Sequence, residues 1–150
     1  MIKEISLIIP SQNAEAKLLN LIGSIQNWEV IPNEIIIVDS SEVKPLIPEE
    51  FKQFVKKFDI RLLTIFEKNL YPGHARNIGI SNSTNNLLAF LDTSTMPCHK
   101  WLSSGLNLIK KQNTDGVWGH THYLADKFFP KIFRACTYGA KPIKTFPGSI

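Results

Sequence analysis

The hydrophobic and polar positions along the chain alternate between two periods. Short, nearly unbroken apolar runs occur at "EISLIIP" (residues 4–10), "EIIIVDS" (34–40), "IRLLTIFE" (60–67) and "NLLAFLD" (86–92). Runs of this length, rich in Ile, Leu and Val, predict strands, and "EIIIVDS" reads as a central parallel strand buried on both faces. The first is expected to stop at Pro10, and Asn13 is a candidate cap for the segment that follows. There Leu18, Leu21, Ile22, Ile25 and Trp28 recur at helical spacing. "PEEFKQFVKKF" predicts a second helix with proline at its start, and "GHARNIGISNS", opened by Pro72 and Gly73, a short third. "KWLSSGLNLIKKQ" predicts a fourth, with Trp101, Leu102, Leu106 and Ile109 on one face. "DGVWGHTHYL" reads as a fifth strand after an Asp115-Gly116 turn, and from Lys127 the pattern weakens to a helix or loop and a tail. Strands alternating with helices in this way predict an α/β fold, an open, mostly parallel sheet flanked by helices.

Composition narrows the class without deciding it. A chain of 150 residues suits one domain with a real core, and 43% hydrophobic with 20% charged residues is ordinary for a globular protein. The net charge of +4 favours an anionic ligand or an anionic surface. It carries no dense Lys/Arg stripe interleaved with aromatics, so nucleic acid is not the expected partner. Cys98 and Cys136 are far apart and match no metal spacing, which reads as free thiols in a reducing compartment. No stretch approaches the ~20 apolar residues of a membrane span, and "MIKEISLIIP" is too short an apolar run for a signal peptide. The expected location is cytoplasmic.

Candidate chemistry gathers at the ends of the runs. Asp39 and Asp92 each close an apolar strand, at the edge where open α/β sheets bind ligands. In "YPGHARNIGI", Gly73 is expected to let the chain turn tightly. The first N–H groups of the helix then form an anion site that Arg76 can reach. Asn77 can hold loop backbone, and Gly79 would allow close helix–strand packing. An anionic, phosphorylated ligand fits this constellation. Other chemistries fall away. There is no G-x-x-x-x-G-K loop, no G-x-G-x-x-G after the first strand, and no G-x-S-x-G around Ser103 and Ser104. His120 and His122 would share a strand face, but two ligands do not close a metal site. His74 and His99 read as loop residues.

These segments, in this order, resemble the inverting family 2 glycosyltransferases of the GT-A fold. "SLIIPSQNAEAKLLNLIGSI" is similar to the family's first strand and nucleotide-facing loop, with Gln12 in place of the usual tyrosine. "EIIIVDSSE" resembles its second strand and acidic tip, with Ser40 where a second aspartate is common. "PGHARNIGI" resembles its P-G-x-x-x-A/R-N-x-G segment, and "NLLAFLDTSTMPCHKWL" its Asp-x-Asp strand. The resemblance covers about residues 5 to 110 and implies the Rossmann-like, nucleotide-binding half of the fold. It implies a pocket for a UDP- or GDP-linked sugar. Pro10, Ser11 and Asn13 would lie beneath the nucleoside, Asp39 would accept from the base, and Arg76 would contact the nucleotide. Asp92 would sit at the ribose or at a diphosphate-bound Mg²⁺ or Mn²⁺. Ser94 replaces the usual second aspartate, so a weakened metal site is expected. The acceptor, a glycan, lipid or protein, would be met by a later half, and the single domain 1–150 is expected to stop before it. Asp126 is the remaining candidate for the catalytic base. The alternatives are a non-catalytic nucleotide-sugar-binding or scaffolding module, or a nucleotidyltransferase. Peripheral association with the inner membrane face is a further expectation.

Overall fold

The structure is a computed structural model, described here for residues 1–119. Its backbone divides into two units, Met1–Leu102 and Ser103–Ile150. The first holds strands β1 (Ile2–Ser11), β2 (Ile31–Asp39), β3 (Arg61–Phe66) and β4 (Leu88–Phe90), with helices α1 (Glu15–Ile25), α2 (Glu49–Lys57) and α3 (Pro72–Ser81) between them. Helix α4 (Trp101–Gln112) begins at the end of this unit and runs into the second. There Asn113, at φ 48°, ends it in the left-handed region that Asn tolerates.

All four strands are parallel, in the order β3-β2-β1-β4. The sheet therefore grows outward from β1 to β3 and then crosses to the opposite side of β1. Open α/β sheets bind ligands at such a reversal, at the carboxyl ends of the strands. The runs in β1 and β2 are buried: Ile5, Leu7, Ile8 and Ile9 of β1 and Ile35 to Val38 of β2 are at most 1% exposed, whereas β3 and β4, on the outer sides of the described sheet, are only partly buried, with Phe90 40% exposed. Leu18, Leu21, Ile22 and Ile25 of α1 are buried, and so is Trp28 beyond its end, tilted against Trp101 at 5.4 Å between ring centroids.

Pro10 does not end β1 as the sequence led us to expect. The strand continues through Ser11 against β2, and what stops at Pro10 is the pairing with β4. Leu91 N–H donates to Ile8 O at 3.1 Å, and the next ladder bond would have to come from the N–H that proline lacks. Pairing with β4 is thus confined to Leu88–Phe90, shorter than the run 86–92 predicts, and the chain from Asp92 onward leaves the sheet. Asn13 is not the cap of α1 either. Ala14 holds that position without a side-chain bond, while Asn13 stands at φ 48° and reverses the chain. The fifth predicted strand is described only as far as residue 119, where it amounts to an isolated bridge at Trp118; His120, His122 and Cys136 lie outside the described residues.

At the amino end of the sheet sits a feature that the sequence reading did not single out. The Glu34 carboxylate, 1% exposed, accepts from Ser6 Oγ, Arg61 Nη1, Thr84 N (3.0 Å) and Thr84 Oγ1 (2.9 Å). Asn85 Nδ2 donates to Ser6 Oγ (3.0 Å) and Asn33 Oδ1 (2.9 Å). Buried polar groups hold a fold only when satisfied, and this set ties the α3–β4 connection to β1, β2 and β3.

Candidate functional site

Four chain segments meet at the carboxyl edge of the sheet. Pro10, Ser11 and Gln12 end β1, Ser40 follows β2, Leu70 to Arg76 open α3, and Asp92 to Ser94 follow β4. Among these, Pro10, Ser11, Ser40, Arg76, Asp92 and Ser94 line an open groove of about 230 Å³. Arg76 Nη2 donates to Asp92 Oδ1 at 2.6 Å, with the two side chains 34% and 55% exposed. The groove therefore joins the arginine of the third helix to the aspartate of the fourth strand. Asp92 is held in place by its own turn, in which Thr95 N–H donates to Asp92 O at 3.0 Å. The following loop is pinned back to the first layer, where Ser24 Oγ donates to Pro97 O (3.0 Å) and Glu29 N–H to His99 O (3.0 Å).

The floor is a lattice of serines. Ser40 N–H and Oγ both donate to Ser11 O (2.8 and 3.2 Å), and Asn13 N–H donates to Ser41 Oγ (2.8 Å). Ser41 N–H in turn donates to Asp39 Oδ1 at 2.9 Å. Asp39 is only 4% exposed, and its Oδ2 has no partner among the described residues; the hydroxyl of Ser11, its cross-strand neighbour, is equally buried and unpartnered. Buried polar atoms without partners are rare, and each calls for an explanation. Asp39 itself does not line the groove; it borders a second, apolar cleft of about 220 Å³ beside Ile37, Thr64, Phe66 and Leu46. The sequence pattern did not show this cleft, because one of its walls is the loop from Lys44 to Ile47, which has no periodicity.

Three expected residues stand differently from their sequence reading. Gly73 makes no tight turn: it lies in the first turn of α3, without a positive φ, and an added Cβ would meet nothing within 4 Å. The reversal is made by Asn69, at φ 60°. Asn77 holds no loop backbone among the described residues, because it falls on the exposed side of α3, opposite buried Ala75 and Gly79. Asn13 contributes its backbone N–H, not its side chain. Gly79 does allow close packing, since a Cβ there would collide with the Ile8 side chain. Asp126 lies outside the described residues.

Comparison with solved structures defines the class. The fold is that of the GT-A glycosyltransferases. It matches S. aureus TarS, solved in complex with UDP-GlcNAc, with a TM-score of 0.64 at 20% identity, over 84% of this chain and 36% of that one. It also matches the mannosyltransferase PcManGT from Pyrobaculum calidifontis, solved with GDP-Man and Mn²⁺, with a TM-score of 0.60 at 17% identity, over 80% of this chain and 36% of that one. In sequence it is 30% identical over 122 residues to the glycosyltransferase AglE of Haloferax volcanii, covering 79% of this chain and 40% of AglE. The chain belongs to glycosyl transferase family 2, whose sequence profile matches residues 6–142. It spans well under half the length of the relatives it matches. No helix among the described residues is long and apolar enough to cross a membrane.

Proposed function

We propose that the chain is the donor-binding part of a glycosyltransferase that moves a sugar from a nucleoside diphosphate to an acceptor with inversion. The observation that carries this reading is the pair of buried, unpartnered oxygens at the strand tips: Ser11 Oγ, of a residue that lines the groove with Arg76 and Asp92, and Asp39 Oδ2, of its cross-strand neighbour at the second cleft. An unpaired carboxylate oxygen at a strand tip is an acceptor waiting for a donor, and the ring N–H of a nucleobase supplies one. Arg76 and the free N–H groups of Gly73 and His74 in the first turn of α3 would hold the diphosphate. Asp92, exposed at the groove's far wall, would receive the ribose or a cation. The nucleotide-bound neighbours TarS and PcManGT support this reading.

The residues fit a divalent cation of one kind only. Asp92 offers a single carboxylate and Ser94 a hydroxyl, and among the described residues no three His, Cys, Asp or Glu side chains gather into a metal group. Mg²⁺ is commonly bound by one or two carboxylates together with substrate phosphates. The donor set therefore suits Mg²⁺ or Mn²⁺ shared with a diphosphate, not one caged by protein. Such a cation, when bound, would offset charge on the leaving diphosphate. Arg76 would share that work. Among the described residues Asp92 is the only carboxylate lining the groove, so none of them is left over as general base.

Calorimetric titration with UDP, GDP and their sugar conjugates, with and without Mn²⁺, tests the reading. Asp39→Ala and Arg76→Ala are each expected to weaken nucleotide binding by about tenfold or more, the equivalent of a lost charge-assisted contact of ~1.5–3 kcal/mol. A folded chain that binds no nucleotide at millimolar concentration would refute it. A non-catalytic binding module is the second reading, favoured by Ser94 standing where a carboxylate is usual. Sugar transfer or donor hydrolysis that depends on Asp92 would remove it. The reading also sets the chain in the cytoplasm beside the inner membrane face, for which the net charge of +4 is suited; co-sedimentation with anionic vesicles checks that part.

A further inference from the structure

Asp92, the one acid among the described residues that lines the groove, is already engaged in the free protein. Arg76 Nη2 sits 2.6 Å from Asp92 Oδ1, and guanidinium and carboxylate form a charge-assisted hydrogen bond there. A dication approaching Asp92 would have to displace the guanidinium or remain beside it. Either course is unfavourable, because a single carboxylate and a hydroxyl offer little in return and the arginine repels the incoming charge. A diphosphate alters the balance. It gives the planar guanidinium of Arg76 a bidentate partner of higher charge, and so releases Asp92 at the moment the phosphate oxygens become available as further ligands.

We propose that Arg76 gates Asp92: the Arg76–Asp92 pair keeps divalent cations out of the empty groove and opens only when a diphosphate takes over the arginine. The inference rests on the donor-site reading above and adds an order to it, nucleotide first or nucleotide and cation together, never cation alone. Ser94 sharpens the effect. With a second carboxylate at that position a cation would keep one charged ligand free of Arg76; with serine, the latch covers the only one among the described residues. The loop lattice supports a fixed latch, since Asp92 is anchored by its own turn and α3 is locked onto Ile8 through Gly79.

Electron paramagnetic resonance of Mn²⁺, which reads free ion directly, tests this on the 150-residue chain without any activity assay. In the absence of nucleotide, the wild type is expected to bind Mn²⁺ no better than Asp92→Asn. Arg76→Gln, with the latch removed, is expected to bind on the order of tenfold more tightly than wild type, the scale of a one-plus, two-plus repulsion at a wet surface. Equal Mn²⁺ affinity in wild type and Arg76→Gln overturns the proposal. A second measurement uses the wild type alone, so that it stands whether or not the variant folds. The Arg76 Nε–H resonance should shift when UDP or GDP is added and stay in place when Mg²⁺ alone is added. A shift with Mg²⁺ alone also overturns it. Failure of every nucleotide to bind would sink the donor reading, whereas the nucleotide-free comparison judges the latch by itself.

Discussion

Two glycines on one helix should respond to alanine in opposite directions. Gly79 and Gly73 both lie in α3, and in a helix interior alanine is favoured over glycine by ~0.8–1.0 kcal/mol. At Gly73 nothing stands within 4 Å of the added Cβ, and the backbone carries no positive φ, so the intrinsic gain is kept. At Gly79 the Cβ would run into Ile8, a residue 0% exposed on β1, which is clamped between β2 and β4. That side chain has nowhere to retreat, so either α3 or β1 must move. Overpacking of this kind costs about 1–3 kcal/mol. With an obstructed backbone-side contact the upper half of that range applies, and the net after the helix gain is a loss of roughly 1–2 kcal/mol. For a chain of this size that is a fall in Tm of about 3–6 °C, against a rise of about 1–3 °C for Gly73→Ala. Thermal unfolding followed by far-ultraviolet circular dichroism measures both. Gly79→Ala should also weaken nucleotide binding, because Arg76 rides on the helix that is pushed away. A Gly79→Ala protein as stable as Gly73→Ala would refute the packing argument. A Gly73→Ala protein that is more stable yet binds nucleotide poorly would show that the ligand uses the open space at that turn.

Other expectations follow from the same geometry. Asp39→Asn should keep the bond from Ser41 N–H and replace an orphaned acceptor with a donor beside the unpartnered hydroxyl of Ser11, so the free protein should be unchanged or up to ~1 kcal/mol more stable. Calorimetry should nevertheless find its nucleotide affinity reduced by about tenfold or more; lower stability combined with full affinity would contradict the assignment. Glu34→Leu removes the acceptor of four donors; Arg61, half exposed, regains water, so the cost should be about 1–3 kcal/mol, that of leaving buried donors of Ser6 and Thr84 unsatisfied. Urea unfolding checks it, and a cost below ~0.5 kcal/mol would mean that these donors find other partners and that the network does not hold the fold. Arg76→Ala breaks an exposed ion pair and should change stability by no more than ~1 kcal/mol. A large loss of Tm would mean that α3 is held by that pair and not by its packing on Ile8.

The sheet was legible because burial on both faces leaves a mark that survives in one sequence. Ile35 to Val38 reads as a central strand, and the helical recurrence from Leu18 to Ile25 marks α1, whose Leu18, Leu21, Ile22 and Ile25 are buried. What was not legible depends on backbone bonds and on space. Pro10 reads as a stop, yet it stops only one of two ladders, and which one is decided by the side of β1 its missing N–H would have faced. Asn13 reads as a cap because asparagine favours caps, but asparagine also tolerates the left-handed region, and the tight reversal after β1 selected that property instead. Glu34 lies inside an apolar run and gave no periodic signal; its partners are 27 to 50 residues away, a distance that no local pattern spans.

The site divides along the same line. Strand-tip aspartates and a proline-led, arginine-bearing helix are local features, and they marked Asp39, Arg76 and Asp92 before any coordinates. Their relations are not local. The sequence sets Arg76 and Asp92 sixteen residues apart, with no hint that one neutralises the other, and only the crossover from β3 through α3 to β4 brings them to 2.6 Å. The sequence likewise suggests that a lost carboxylate at Ser94 simply weakens a metal site. The structure gives the loss a different meaning. With a single acid among the groove's described residues, the arginine that pairs it faces all of their negative charge, and under the latch we propose cation binding is conditional on whatever can draw that arginine away. A substitution that looks like decay in the sequence is, in the fold, what gives one ion pair control of the site.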